Sequence, residues 1–247
     1  MIQTASEFVT ALKNAAAHRT LYVMGCFGAP MTEANKERYI AAQGYNSRPD
    51  REAKIRAADG ETYGFDCVCL IKGILWGWCG DPNDIYGGAD YLTDLVPDLD
   101  AEQLVEVCED VTQDFTHLLP GEVVGMPGHI GVYVGDGLCI ECTPRWKDCV
   151  QYTACLNRGP KEGYPGREWT RHGKLPYLRY DTGEAAPAPV PEKEKRYETV
   201  EDLPGWARRT VEKLYNCGYL MGNGESLDLS EDMIRILVIL DRAKVFG

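Results

Sequence analysis

The residue best placed to do chemistry is Cys67, which opens the apolar run Cys67-Val-Cys-Leu-Ile-Lys-Gly-Ile-Leu75 directly after Tyr63-Gly-Phe-Asp66. A thiol at the first position of a helix sits among unpaired backbone N–H groups and the positive end of the macrodipole. That address favours thiolate and predicts a pKa lowered by about one unit or more from ~8.5. A nucleophilic thiol needs a base, and the chain carries four histidines: His18, His117, His129 and His172. Only His129 has a suitable setting, inside Pro127-Gly-His-Ile-Gly-Val-Tyr-Val-Gly-Asp-Gly-Leu-Cys-Ile-Glu-Cys142, where a Gly-Asp-Gly turn between alternating segments reads as a β-hairpin. Residues two apart on a strand share a face, so His129, Gly131 and Tyr133 point one way and Ile130, Val132 and Val134 the other, into a core. Cys139, Glu141 and Thr143 share a face of the returning strand. If register sets them beside His129, Glu141 accepts from one imidazole nitrogen and leaves the other as base. His117, next to Leu118 and Leu119, reads as a boundary residue, and His172, among Arg171, Gly173 and Lys174, as a solvated loop histidine.

Two stretches carry a family resemblance. Phe65-Asp-Cys-Val-Cys-Leu-Ile71 resembles the Asp-Cys-Ser-Gly-Leu/Phe-Ile/Val signature of NlpC/P60 cysteine peptidases. Leu119-Pro-Gly-Glu-Val-Val124 followed by Gly128-His-Ile-Gly-Val-Tyr133 is similar to their second signature. The likeness runs from about Leu21 to Val150. It implies a papain-like α+β domain, with helices packed on an antiparallel sheet, that hydrolyses amide bonds in peptidoglycan stem peptides. Val68 and Cys69 stand where the family has Ser-Gly, and Glu141 stands where many members have His, although the related CHAP amidases often carry an acid or amide there. The resemblance also implies that Tyr22, in Leu21-Tyr-Val-Met-Gly-Cys-Phe-Gly28, hydrogen-bonds near Cys67, and that Asp66 receives the free amine of a stem peptide. A core aromatic and a helix N-cap are the alternatives for these two residues. Trp146 reads equally as a cleft-rim aromatic and as a core residue.

These side chains need elements to hold them. Val68, Leu70, Ile71, Ile74 and Leu75 recur at helical spacing and can bury the helix behind Cys67. A short amphipathic helix is expected around Phe8, Val9 and Leu12. The polar run from Thr32 to Asp59 reads as a solvated insertion or a cleft wall, and Trp78 to Val96 as loop. Asp100 to Cys108 reads as a helix with an acidic first turn, Val150 to Thr153 as a strand, and Leu175 to Tyr180 as a last one. Thr182 to Lys195 is Pro/Ala-rich and charged, the composition of a linker. The expected organisation is a catalytic domain over 1–180, a linker over 181–196 and a small helical module over 197–247. In that module Ser230 caps a second helix running to Arg242. The module resembles the single SLH-like segment at the C-terminus of some phage lysins, which implies wall binding. A stabilising or dimerising helical hairpin is the competing reading, since so small a module buries little apolar area.

Composition bounds the alternatives. A net charge of −12 with no basic stripe argues against nucleic acid. The longest apolar run, Ile234 to Leu240 interrupted by Arg235, is far short of the roughly 20 residues of a membrane span. The first twenty residues lack a basic start and a long apolar core, so the expectation is synthesis in the cytoplasm and action on the wall after release, as in a phage or prophage lysin. Ten cysteines in such a chain read as reduced thiols. A zinc site at Cys139, Cys142, Cys149 and Cys155 is disfavoured, because strand alternation sends Cys139 and Cys142 to opposite faces. The expected function is a cofactor-free peptidoglycan hydrolase using Cys67, His129 and Glu141, with Tyr22, Asp66 and Trp146 on substrate. A D-glutamyl-diamino acid endopeptidase is preferred over an N-acetylmuramoyl-L-alanine amidase or a degenerate, non-catalytic wall-binding protein.

Overall fold

The computed structural model describes residues 4–93, 96–180, 196–222 and 226–245. The chain divides into two units, Met1–Glu184 and Ala185–Gly247.

The first unit is α+β. It opens with α1 (Ala5–Ala17), whose Thr4 and Glu7 form a reciprocal capping box and whose Phe8, Val9 and Leu12 are buried. Next come β1 (Thr20–Tyr22), β2 (Phe27–Pro30), α2 (Glu33–Ala42), α3 (Pro49–Ala57), β3 (Tyr63–Phe65), α4 (Cys67–Leu75) and α5 (Ala101–Glu106). The second half is mostly strand: β4 (Glu109–Thr112), β5 (Val123–Met126), β6 (His129–Gly135), β7 (Leu138–Thr143), β8 (Cys149–Cys155), β9 (Gly166–Arg167) and β10 (Arg171–Lys174). These seven form one sheet in the order β4-β10-β5-β6-β7-β8-β9, antiparallel except for the parallel β8–β9 pair. β1, β3 and β2 make a separate small sheet.

The alternation read in the hairpin decides how the large sheet packs. Ile130, Val132, Val134, Ile140 and Cys142 join Phe8 and Leu12 of α1 and Leu70, Ile71 and Ile74 of α4 in the main core. Tyr133 and Cys139 turn to the other face and pack with Phe115, Leu118, Val124, Cys155 and Trp169. Every residue of α4 is buried, Lys72 included, its ammonium bonded to Asp98 and to the Leu99 carbonyl. A nucleophile on such a helix is held by core on all sides of its stem.

Three expectations are corrected. The run from Thr32 to Asp59 is not a solvated insertion: Tyr39, Ile40 and Ile55 of α2 and α3 pack with Val23, Cys26, Ala29 and Met31. The last strand of the unit is Arg171–Lys174, one segment before the expected Leu175–Tyr180, where Pro176 lacks the N–H that a ladder needs. His172 is therefore on a strand and only 4% exposed, its two ring nitrogens held by Glu122 and by the Asp114 carbonyl.

The second unit contains β11 (Arg196–Tyr197) paired antiparallel with β12 (Leu229–Ser230), and α6 (Gly205–Asn216) beside α7 (Glu231–Arg242). Arg196, expected to end the linker, starts a strand; the rest of that linker lies outside the described residues. Ser230 accepts from the Met233 N–H and caps α7. Tyr197, Leu203, Ala207, Val211, Leu227, Leu229, Ile234 and Val238 form the core of this unit.

Candidate active site

Asp66 ends β3 in extended conformation and caps α4, its Oδ1 accepting from the Cys69 N–H at 2.7 Å. Its Oδ2 accepts from the Gly25 N–H at 2.7 Å. Each carboxylate oxygen thus holds a backbone donor, and the N-cap alternative for Asp66 is realised. The cap fixes where Cys67 emerges. The N–H groups of Cys67, Val68 and Ile130 are directed at the Cys67 sulfur and pull its pKa down, but burial and the adjacent Asp66 carboxylate outweigh them and push it up to about 12. The lowered thiol expected from the helix N-terminus is therefore corrected. In the resting site burial of the sulfur, with the Asp66 carboxylate beside it, exceeds what the three backbone N–H groups supply.

His129 begins β6, one residue before the Ile130 N–H that reaches the thiol. Its Nε2 lies 2.6 Å from Glu141 Oε2, and Glu141 is fully buried on β7. Three side chains converge on this carboxylate: His129, the Thr153 hydroxyl at 2.7 Å, and Arg167, with Nε at 2.9 Å from Oε1 and a terminal nitrogen at 2.8 Å from Oε2. Burial pushes the Glu141 pKa up, but the bonds from His129 and Arg167 outweigh it and hold the group below the usual carboxylate range. An ionised Glu141 is acceptor only, so His129 Nε2 is a donor to it, and in the neutral ring Nδ1 is then the nitrogen with the lone pair. Among the described residues Nδ1 has no hydrogen bond, and no hydrogen bond joins the imidazole to Cys67. The ring is oriented from behind, with its basic nitrogen unengaged.

Trp169 lies nearly parallel to the His129 ring, 5.8 Å between centroids and 11° between planes. Gly131, on the same face of β6, leaves space for it: a Cβ there would meet Trp169 at 3.0 Å. The Arg167 guanidinium sits 5.5 Å from the Trp169 ring and 5.0 Å from the ring of Trp146, which is 41% exposed. Trp146 thus lies at the surface, one cation–π contact away from the Glu141 clamp.

Tyr22 is buried in the core beside the nucleophile. Burial raises its phenol pKa, and negative charge on Cys67, Asp66 and Cys142 raises it further. Its hydroxyl has no hydrogen-bond partner among the described residues. The ring is backed by Tyr45 and by Arg51 of α3, whose guanidinium bonds the Tyr22 carbonyl and reaches Asp148 at 2.6 Å. A cavity of about 460 Å³ opens at the N-terminal end of α4, lined by Gly25, Gln43, Asp66, Val68, Cys69, Lys72, Tyr91, Asp98 and Gln103 among others. Val68 and Cys69, the two departures from the family pattern, line it directly.

The expected residues therefore fall into two groups. Cys67, Tyr22 and Asp66 cluster at the start of α4. His129 and Glu141 form a second group, with Trp146 joined to it through Arg167. The two groups meet where Ile130 approaches Cys67. Sequence reasoning missed Thr153, Arg167 and Trp169. Arg167 and Trp169 stand two apart in an extended segment and so share a face, which was the one local signal available.

No family model matches the chain, and no curated protein matches it. Among solved structures the chain is similar to NlpC1 from Trichomonas vaginalis, at 14% identity and a TM-score of 0.36, over 69% of this chain and 44% of that one. The chain spans less than half the length of that protein.

Proposed function

We propose that the first unit is a thiol hydrolase of the NlpC/P60 kind that cleaves an amide bond in peptidoglycan stem peptides. The observation that carries this reading is the bond of His129 Nε2 to a buried, ionised Glu141, which orients the ring on a strand whose next residue, Ile130, directs its N–H at the sulfur of the helix-borne Cys67. The two sequence signatures supply the substrate class.

In this mechanism Cys67 is activated by substrate rather than at rest. Substrate entry brings thiol and imidazole together, and His129 Nδ1 takes the thiol proton as the sulfur attacks the scissile carbonyl carbon. The resulting imidazolium is stabilised by Glu141 and delivers its proton to the leaving amine as the C–N bond breaks, giving a thioester. His129 then removes a proton from water, the hydroxide attacks the thioester, and a carboxylic acid and the free thiol are released. The Cys67 N–H is one donor to the oxyanion of each tetrahedral intermediate.

The D-glutamyl-diamino acid bond is the preferred target. Asp66 and the Tyr22 hydroxyl, which has no hydrogen-bond partner among the described residues, lie beside the nucleophile, and lone pairs of Asp66 not used by Gly25 and Cys69 can take the free amine of a trimmed stem peptide. Mass spectrometry of digested peptidoglycan tests this: new diamino-acid N-termini are the expected product, free L-alanine N-termini with intact stems would make the enzyme an amidase, and an unchanged digest would make it a non-catalytic wall-binding protein.

A further inference from the structure

We propose that Arg167 is a positioning residue for His129, acting through Glu141, and that Trp146 in turn holds Arg167 in place. The inference rests on the reading of His129 as the base of a thiol hydrolase. Arg167 sits on β9, nearly buried, with Nε 2.9 Å from Oε1 and a terminal nitrogen 2.8 Å from Oε2 of Glu141. The fork grips both oxygens of the carboxylate, and Oε2 is the atom bonded to His129 Nε2. A carboxylate with no other partner stabilises an imidazolium strongly, and a ring that is already protonated cannot take a proton from a thiol. A guanidinium on the same carboxylate offsets much of that pull and leaves the bond to the imidazole intact. Arg167 thereby lets Glu141 orient the ring while limiting the negative charge that the ring meets.

The part played by Trp146 rests on ring geometry. The Arg167 guanidinium carbon lies 5.0 Å from the ring centroid of Trp146 and 5.5 Å from that of Trp169, and Trp169 lies flat against the His129 ring. A guanidinium packed on aromatic faces keeps its charge, sheds water and is confined to few rotamers. Trp146 is the outer ring of the two, since Trp169 is buried. Its φ is +62°, a left-handed conformation that a bulky side chain rarely adopts, and Asp148 two residues on has φ +58°. Arg51 and Lys54 pin this turn by bonding Asp148 Oδ2 at 2.6 and 2.7 Å, and Gln151 bonds the Arg145 carbonyl at 3.0 Å. A strained turn anchored this firmly fixes where the indole lies, and what the indole covers is Arg167.

The other ionisable groups around the His129–Glu141 pair are uncharged or act elsewhere. Cys67 on α4 and Cys139 on β7 are thiols that burial pushes up, Cys67 to about 12 and Cys139 well above its ordinary value. Cys155 on β8, two residues beyond Thr153, shares a hydrogen bond with Cys139. The Asp66 carboxylate acts on Cys67. Glu102 on α5 accepts from the Gly128 N–H at 2.8 Å and is ion-paired with Arg171 of β10. Arg145 lies against Trp146. Among the described residues Arg167 is the one permanent cation bonded to Glu141, and with His129 it holds that carboxylate below its usual range.

The test is a proton titration of the resting full chain by NMR. It follows the Cε1–H signals of the four histidines, with that of His129 identified by its loss in His129→Gln. In Arg167→Gln, and in Arg167→Met, which keeps bulk between the two indoles without the charge, the His129 midpoint should move to higher pH by about one pH unit or more. Trp146→Ala should move it the same way by about half as much. Thr153→Val removes a neutral donor from the same carboxylate and should leave the midpoint within about 0.3 pH units. Circular dichroism verifies that each variant is folded. An unmoved midpoint in the Arg167 variants would overturn the proposal, as would a shift in Thr153→Val equal to that in Arg167→Gln, which would make Arg167 one structural support among several. A midpoint in Trp146→Ala equal to that of the parent would overturn the role of Trp146. No substrate enters the measurement, so its outcome is separate from that of the peptidoglycan digest that tests the hydrolase reading.

Discussion

Cys67 is a nucleophile whose address and environment disagree. The helix N-terminus favours thiolate, while burial and Asp66 set the thiol at about 12. At pH 7.5 its alkylation by iodoacetamide should therefore be slower by roughly a thousandfold than that of a free thiol with a pKa of ~8.5, and slower than that of exposed Cys79 or Cys217. Fast, stoichiometric labelling of Cys67 would instead reveal a preformed thiolate. Cys67→Ser should lose at least ~10³-fold in hydrolysis with the melting temperature unchanged, since a hydroxyl lacks the reactivity this site supplies to a thiol. Behind the imidazole, Arg167 joins His129 in letting Glu141 stay charged in a buried position. Arg167→Gln leaves that charge without its fork and should cost on the order of 3 kcal/mol by denaturant titration, more than Thr153→Val, which removes one neutral donor. Equal costs would mean that the fork does not carry Glu141.

At the scale of elements, β10 holds a second histidine–carboxylate pair, His172 and Glu122. Burial lowers the His172 pKa, but the bonds to Glu122 and the Asp114 carbonyl outweigh it, and the net shift is upward. A raised folded pKa means that the folded state binds the extra proton. The stabilisation is then complete below the unfolded value of ~6.5 and is lost as pH rises through the folded value. The melting temperature should fall as pH climbs above 6.5, and His172→Gln should flatten that slope; an unchanged slope would place the proton elsewhere. What the sequence disclosed follows the same division. The capped helix of Cys67, the His129 strand and the face of Glu141 are set by local spacing, and all three were legible. Arg167 and Trp169 reach the site only because β9 joins the sheet parallel to β8 after a long connection, and no local pattern encodes that return. His172 was misread because its neighbours Arg171 and Lys174 are charged, yet each has an anionic partner across the fold, Glu102 and Asp110.

At the scale of the whole molecule, the contact pattern separates two units at Glu184. A chain ending at residue 184 cuts no described element and should keep its circular dichroism spectrum and, within a few degrees, its melting temperature. If the second unit raises the local concentration of active sites at the wall, by direct attachment or by pairing them, this truncation should lower activity on whole walls by ~10-fold while sparing soluble muropeptides. Loss on both substrates would mean that the second unit supports the catalytic fold. Composition gives a linker over 181–196, since Pro, Ala and charge cannot build a core, and residues 181–195 of it lie outside the described residues. The outer face of α7 was visible in the sequence only as an apolar stretch. Which of its residues turn inward depends on how α6 packs, and that is a tertiary fact.

The flat contact between Trp169 and His129 gives the site an optical readout. An excited indole passes an electron readily to a neighbouring imidazolium and poorly to a neutral imidazole, so Trp169 emission should dim as the ring is protonated. With the remaining tryptophans replaced by phenylalanine, a fluorescence titration would follow one proton on one side chain. In a stopped-flow mixing experiment the same signal would record the moment at which the thiol hands its proton across.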